Sequence, residues 1–305
     1  MIPTYQDLLR PLLEVLNKNN ILTLGKSTDL MSEIFSLTPE ERITKLKKGK
    51  QTIIKNRTGW AKFYLEKAGL VITVSKGVYA ITDSGKKLLN YHKGNIDLKY
   101  LLTIPQFAEF YKSKSTKNKV NSKNEVEPNI IEDSVDIINT PDEILEEQYG
   151  IINQNLADEI LQKILDMSPA FFEQLVIFLL EAMGYGHGEV TGRSGDGGID
   201  GIIGEDKLGL DVIHIQAKRW DKGNNVGRKE LQSFVGALAG QSGRKGVFIT
   251  TSSFTKEAMD YNPANVKIAR IDGNRLAHLM IEYNVGVSIK TTYELKKLDI
   301  DFFEE

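Results

Sequence analysis

Leu8, Leu9, Leu12, Leu13 and Leu16 recur at the spacing of one helix face, so the chain is expected to open with a helix over residues 3–18. Thr38-Pro39-Glu40-Glu41 carries a reciprocal capping pattern with proline at the first helical position, and predicts a second helix. A third is predicted over residues 55–68, with Trp60, Ala61, Tyr64, Leu65 and Ala68 turned inward and Gly69 as its stop. The pattern then shifts to period two. Val71–Ser75 and Val78–Thr82 flank Lys76-Gly77 as a β-hairpin, and another helix starts at Asp83.

Further along, residues 113–139 lose this patterning: the run from Ser113 to Asn124 is polar and poor in apolar residues, as a linker is. Thr140-Pro141-Asp142-Glu143 opens a helical stretch carrying Ile144, Leu145, Leu156, Ile160, Leu161 and Ile164. Ser168 and Pro169 start a helix that ends at Gly184. Ile199–Ile203 and Leu210–Gln216 read as two strands around a turn at 204–209. Leu231, Phe234, Val235 and Leu238 give residues 228–239 one apolar face, and residues 246–251 form a continuous apolar strand. Strand, helix and strand in succession make a right-handed βαβ unit, so part of the sheet is expected to be parallel. A helix at 255–260, a strand at 266–271 and a helix at 273–282 complete an α/β layer.

Helices followed by a short hairpin are the winged-helix arrangement, whose third helix enters the major groove while the hairpin lies along the backbone. On that arrangement Lys50, Gln51, Lys55, Asn56, Arg57 and Lys62 face DNA. Gln51, Asn56 and Arg57 have ends that can read base edges, and the lysines can hold phosphates. Charge agrees. Residues 1–112 hold 18 Lys+Arg against 10 Asp+Glu, a balance of +8, whereas 113–155 and 156–305 each carry −5. A basic first region suits a polyanion, and an acidic last region suits metal-binding carboxylates.

The absence of cysteine excludes disulfides and thiolate-bound zinc, and the four scattered histidines show no zinc-site spacing. The longest apolar stretch, Phe171–Met183, is interrupted by Glu173 and Glu181 and is too short for a bilayer. A cytoplasmic protein with no membrane partner is expected.

The candidate chemistry sits in Gly195-Asp196-Gly197-Gly198-Ile199-Asp200-Gly201, followed by Gln216-Ala217-Lys218. An acid beside a Gly-rich turn, then a strand ending in polar-x-Lys, is how many metal-dependent nucleases build a site. Asp200 offers a hard oxygen to Mg²⁺. Gln216 and Lys218 are two apart and share one strand face. Lys218 can then polarise the attacking water and offset charge growing on the phosphate.

With the blocks Glu189–Ile203, Ile213–Trp220, Phe234–Gly240 and Gly246–Lys256, the region 156–290 closely resembles the catalytic domain of the Mrr family of restriction endonucleases, a branch of the PD-(D/E)xK nuclease superfamily. Gly49–Leu70 resembles the N-terminal winged-helix domain of that family. The resemblance implies a winged-helix domain at 1–112, a linker at 113–139 and, at 140–305, a nuclease-like α/β sandwich with a mixed central sheet. It makes Asp200 the principal Mg²⁺ ligand and Gln216 a neutral ligand where the superfamily has an acid. Glu173 matches the helix glutamate of these nucleases, a further metal-ligating and catalytic candidate. Arg193, with Arg219 and Lys222, would line the DNA channel.

The implied reaction is in-line hydrolysis of a phosphodiester in foreign, methylated double-stranded DNA by a metal-activated water. One site cuts one strand, so a double-strand break implies a homodimer or a higher homo-oligomer. A repair or junction nuclease of the same fold, and a DNA-binding regulator with an inactive nuclease domain, remain open as alternatives.

Overall fold

The computed structural model describes residues 1–47, 51–117, 138–191, 198–206, 211–241, 243–296, 298 and 302. Two compact units divide the chain, residues 1–148 (joined by the residues from 297 on) and residues 149–296.

The first unit is built on α1 (Tyr5–Asn19), whose leucines are buried as the heptad spacing requires. Thr4 caps it in a capping box with Asp7. Two elements follow that the periodicity does not announce, β1 (Ile21–Thr23) and α2 (Leu24–Ile34); α2 buries Ser27, Thr28 and Ser32 together with Met31, so its inner face is half polar. The predicted helix at Thr38 is the five-residue α3 (Pro39–Ile43), with its capping box intact. Then come α4 (Ile53–Lys67), β2 (Val71–Ser75), β3 (Val78–Ile81) and α5 (Asp83–Tyr91). The strands form an antiparallel sheet in the order β1-β3-β2. The short α6 (Leu98–Leu102) leads to α7 (Pro105–Lys117), which extends past residue 112. Its Phe107 meets Tyr64 of α4 edge-on, with ring centroids 5.7 Å apart.

Next among the described elements is α8 (Pro141–Asp166), one helix of 26 residues. Residues 140–148 group with the first unit, where residues 140–146 bond to α4 and its neighbourhood.

The second unit holds a five-stranded mixed sheet in the order β4-β5-β6-β7-β8. It comprises β4 (Gly188–Val190), β5 (Gly201–Gly204), β6 (Val212–Lys218), β7 (Lys245–Thr250) and β8 (Lys267–Ile271). The first three pair antiparallel and the last three parallel. Side chains alternate across a strand, so Ile213, Ile215 and Ala217 of β6 take one face. There they pack with the end of α8, α9 (Pro169–Ala182) and α12 (Gly273–Glu282). The opposite face is covered by Leu231, Phe234 and Leu238 of α10 (Arg228–Gly240) and by Ala258 of α11 (Lys256–Met259). A sheet between helices on both faces buries both sides of its strands. His214, Gln216 and Lys218 point to the α10 side of this layer.

Candidate active site and nucleic-acid interface

The pairing of β5 with β6 assembles the candidate catalytic residues. Gly201 stands opposite Ile215 at the end of the ladder, and Asp200 directly precedes it. The Asp200 N–H donates to Ile215 O at 2.8 Å. Its carboxylate Oδ2 accepts the Ala217 N–H at 2.7 Å, between the two polar positions of the motif. Asp200 and Lys218 are half-buried, while Gln216 is 5% exposed. The Gln216 amide lies against the backbone of Gly198: a Cβ there would stand 2.5 Å from Gln216 Nε2. Gly198 also has φ of 102°, where a side chain is strained, so glycine is doubly required.

Glu173 is half-buried in α9, four residues after its first residue, Pro169. Four residues on, Ile177 packs over Gly201, where an added Cβ would meet it at 3.0 Å. Residues four apart share a helix face, so Glu173 lies on the stripe turned to the strand next to Asp200. Arg193 and the glycine turn 195–197 lie outside the described residues.

Sequence reasoning did not identify the residues that hold the end of β6. Thr250 Oγ1 donates to Lys218 O at 2.8 Å, and Thr251 Oγ1 contacts both Trp220 N and Trp220 O. Their only signal is a hydroxyl-rich run, Thr250–Ser253, directly after an apolar strand.

Among the described residues no group of three or more His, Cys, Asp or Glu side chains is assembled to hold a metal. A carboxylate and an amide oxygen brought together at adjacent strand ends are hard donors of the kind divalent cations take.

On the DNA side the structure separates the predicted residues. Lys55 is the exposed one on α4, Gln51 is half-buried, and Lys50 lies outside the described residues. Lys62 is engaged by Glu66 at 2.7 Å, and its ammonium lies over the Tyr79 ring. Burial pushes the Glu66 carboxyl up, but its bonds from Lys62 and Thr73 outweigh that and hold it below the usual range.

Asn56 and Arg57 correct the expectation. Asn56 is 3% exposed, donates to Asp142 Oδ2 at 2.6 Å and accepts from Thr140 Oγ1 at 2.7 Å. Arg57 pairs with Glu143 at 2.9 Å and donates to the carbonyls of Ile2 and Pro3. Trp60 Nε1 also donates to Asp142, at 3.1 Å. In this structure these side chains hold the first turn of α8 and present no edge to a base. The stripe of α4 that remains runs through exposed Lys55 and half-buried Gly59 and Lys62.

Residues 164–280 match the family model described as restriction endonuclease, and residues 5–91 match the Mrr N-terminal domain. A mixed sheet within two helix layers, with an acid, an amide and a lysine at neighbouring strand ends, defines a nuclease of α/β fold behind an N-terminal domain. The chain is 36% identical over 308 residues to the type IV methyl-directed restriction enzyme EcoKMrr of Escherichia coli (strain K12), with 99% of each chain covered. It belongs to the Mrr family of restriction endonucleases and is a DNA-binding type IV restriction nuclease.

Two solved structures match in part. The MspJI restriction endonuclease in complex with a 27-mer oligonucleotide is 26% identical, with a TM-score of 0.35, over 43% of this chain and 33% of its own. The DNA modification-dependent restriction endonuclease AspBHI is 15% identical, with a TM-score of 0.37, over 72% of this chain and 57% of its own. Nucleases of the PD-(D/E)xK type generally use a divalent metal. Among the described residues no helix is long and apolar enough to cross a membrane.

Proposed function

We propose that this nuclease cleaves methylated, foreign double-stranded DNA in the cytoplasm, with Mg²⁺ as its metal and Asp200, Gln216, Glu173 and Lys218 as its site. The observation that carries the site is the bond from the Ala217 N–H to Asp200 Oδ2, which ties the acid to the strand between Gln216 and Lys218. Bound there, the cation would supply Lewis-acid polarisation of the phosphate and a lowered pKa for the attacking water. Asp200 and Gln216 would hold it, with Glu173 directly or through a water.

The residues of the chain do the rest. Lys218 places a cation beside the scissile phosphate, where negative charge grows in the transition state, and orients the water for attack in line with the leaving 3′-oxygen. Removing one such donor costs about 10²–10³-fold in rate. Lys55 and Lys62, with Lys50, Gln51 and Arg193, are the side chains we assign to DNA contact. Two active sites are needed for two strands, so the working species is a homodimer or a higher homo-oligomer.

Support for a methylated substrate comes from the full-length similarity to a relative whose name is methyl-directed. The test is cleavage of methylated against unmethylated plasmid, with Mg²⁺ and with EDTA. Cutting of the methylated plasmid alone, lost in EDTA, is expected. Equal cutting of both plasmids overturns the substrate assignment, and cutting that survives chelation overturns the metal.

A further inference from the structure

We propose that Thr250 and Thr251 are positioning residues for Lys218, fixing the end of β6 so that its ammonium is aimed before DNA arrives. The inference rests on the reading of Asp200, Gln216 and Lys218 as the nuclease site.

The parallel ladder between β6 and β7 ends at the pair Lys218 and Thr250. Beyond it the strand has no further sheet partner, and a strand end of this kind frays unless its peptide groups are bonded elsewhere. Here they are. Lys218 O accepts from Thr250 Oγ1 at 2.8 Å and from the Thr251 N–H at 3.2 Å. The hydroxyl of Thr251 accepts the Trp220 N–H at 2.8 Å and donates to Trp220 O at 2.7 Å. One hydroxyl thus joins both polar groups of the residue two beyond Lys218, using its single proton and one lone pair.

Both threonines are buried, at 0% and 6% exposure, so water does not compete for these bonds. The next turn is secured in the same way. Val226 N donates to Ser253 O at 2.8 Å, and Asn225 Oδ1 accepts from Ser253 Oγ at 2.7 Å. The segment after the proposed catalytic lysine is therefore tied to the segment after β7 at Trp220 and again at Asn225 and Val226.

A lysine side chain has four rotatable bonds, and the position of its ammonium depends first on its own backbone. If the peptide groups at 218–220 are released, Lys218 can drift relative to Asp200, which is bonded to the same strand one residue earlier. A misplacement of about 1 Å can cost on the order of 10²-fold in rate. Valine matches threonine in shape but carries no hydroxyl. Thr251→Val removes the two bonds to Trp220, whose N–H keeps its bond to Lys218 O at 3.1 Å. Thr250→Val removes the bond to Lys218 O and the one from the Ser252 N–H, whereas Thr→Ser keeps them.

Single-turnover cleavage and DNA affinity should be measured on the full chain for Thr251→Val, Thr250→Val, Thr251→Ser and Lys218→Ala. The temperature is chosen where circular dichroism shows each variant folded. We expect Thr251→Val to lose about 10²-fold in cleavage rate with DNA affinity unchanged. Thr250→Val should lose about 10-fold, because the Thr251 N–H still reaches Lys218 O. Thr251→Ser should stay within a few-fold of wild type. A merely structural role would not give a rate loss in folded protein that serine restores.

Val variants that cleave like wild type while Lys218→Ala is inactive overturn the proposal and leave the site reading intact. Cleavage by Lys218→Ala overturns the site reading itself. If Thr251→Val does not fold, Thr250→Val decides by the same measurements.

Discussion

A single backbone N–H decides much at the residue scale. The Ala217 amide donates to Asp200 Oδ2, so the acid is oriented by the strand that bears the lysine. Asp200→Ala and Lys218→Ala should each abolish plasmid cleavage and leave DNA affinity within a few-fold, because neither belongs to the basic unit. Cutting by purified Asp200→Ala protein would remove it from the site. Gly198→Ala tests the neighbour. Its φ of 102° strains any side chain, and a methyl group there would push the Gln216 amide, 2.5 Å away, out of place. Backbone strain of about 1–3 kcal/mol and a displaced Gln216 are expected, with cleavage falling on the order of 10²-fold. An alanine variant with wild-type cleavage would show that the placement of Gln216 is not needed. The motif residues were legible in the sequence because acid, amide and lysine sit in a short, glycine-marked stretch. The threonines were not, since their partners lie 31 and 32 residues away and hydroxyls on a buried strand look like packing.

At the scale of elements, α4 has a different task from the one its sequence suggests. Asn56, Arg57 and Trp60 are spent on Thr140, Asp142 and Glu143, so the polar residues that resemble base readers are helix-to-helix fasteners. Truncating one partner of a buried ion pair leaves the other uncompensated. Arg57→Ala should therefore destabilise the protein by about 3 kcal/mol, read as a lower urea midpoint. Asn56→Ala should cost about 1–3 kcal/mol, because Thr140 Oγ1 loses its acceptor and Asp142 loses one of its two donors. Neither change should reduce the salt dependence of DNA binding. If Arg57→Ala keeps full stability and instead lowers that dependence, Arg57 contacts phosphate after all.

At the scale of the molecule, the contact units place residues 140–148 with the first unit, not the second. The fragment 1–148 should thus fold and bind duplex DNA, with affinity that falls as salt rises through release of condensed counterions. The fragment 1–112 lacks the partners of Asn56, Arg57 and Trp60 and should melt at a lower temperature. Equal stability of the two fragments would mean that the first turn of α8 adds nothing to the unit. Tight, salt-sensitive binding by 149–296 alone would move recognition to the catalytic unit.

Local periodicity and punctuation determined most elements of this protein. The leucine face of α1, the capping boxes of α3 and α8, the hairpin of β2 and β3, and the apolar strand β7 all follow from neighbours a few residues apart. The acid, amide and lysine of the proposed site likewise stand in one short stretch. Elements with half-polar faces, such as α2, escaped that reading because burial of serine and threonine leaves no apolar stripe. Only the tertiary structure decided which side chains meet across long stretches of chain. Asn56 and Asp142 are 86 residues apart, and no spacing rule links them. The same side chain can read a base or lock a helix, and what settles the choice is the partner that the fold brings within hydrogen-bond reach.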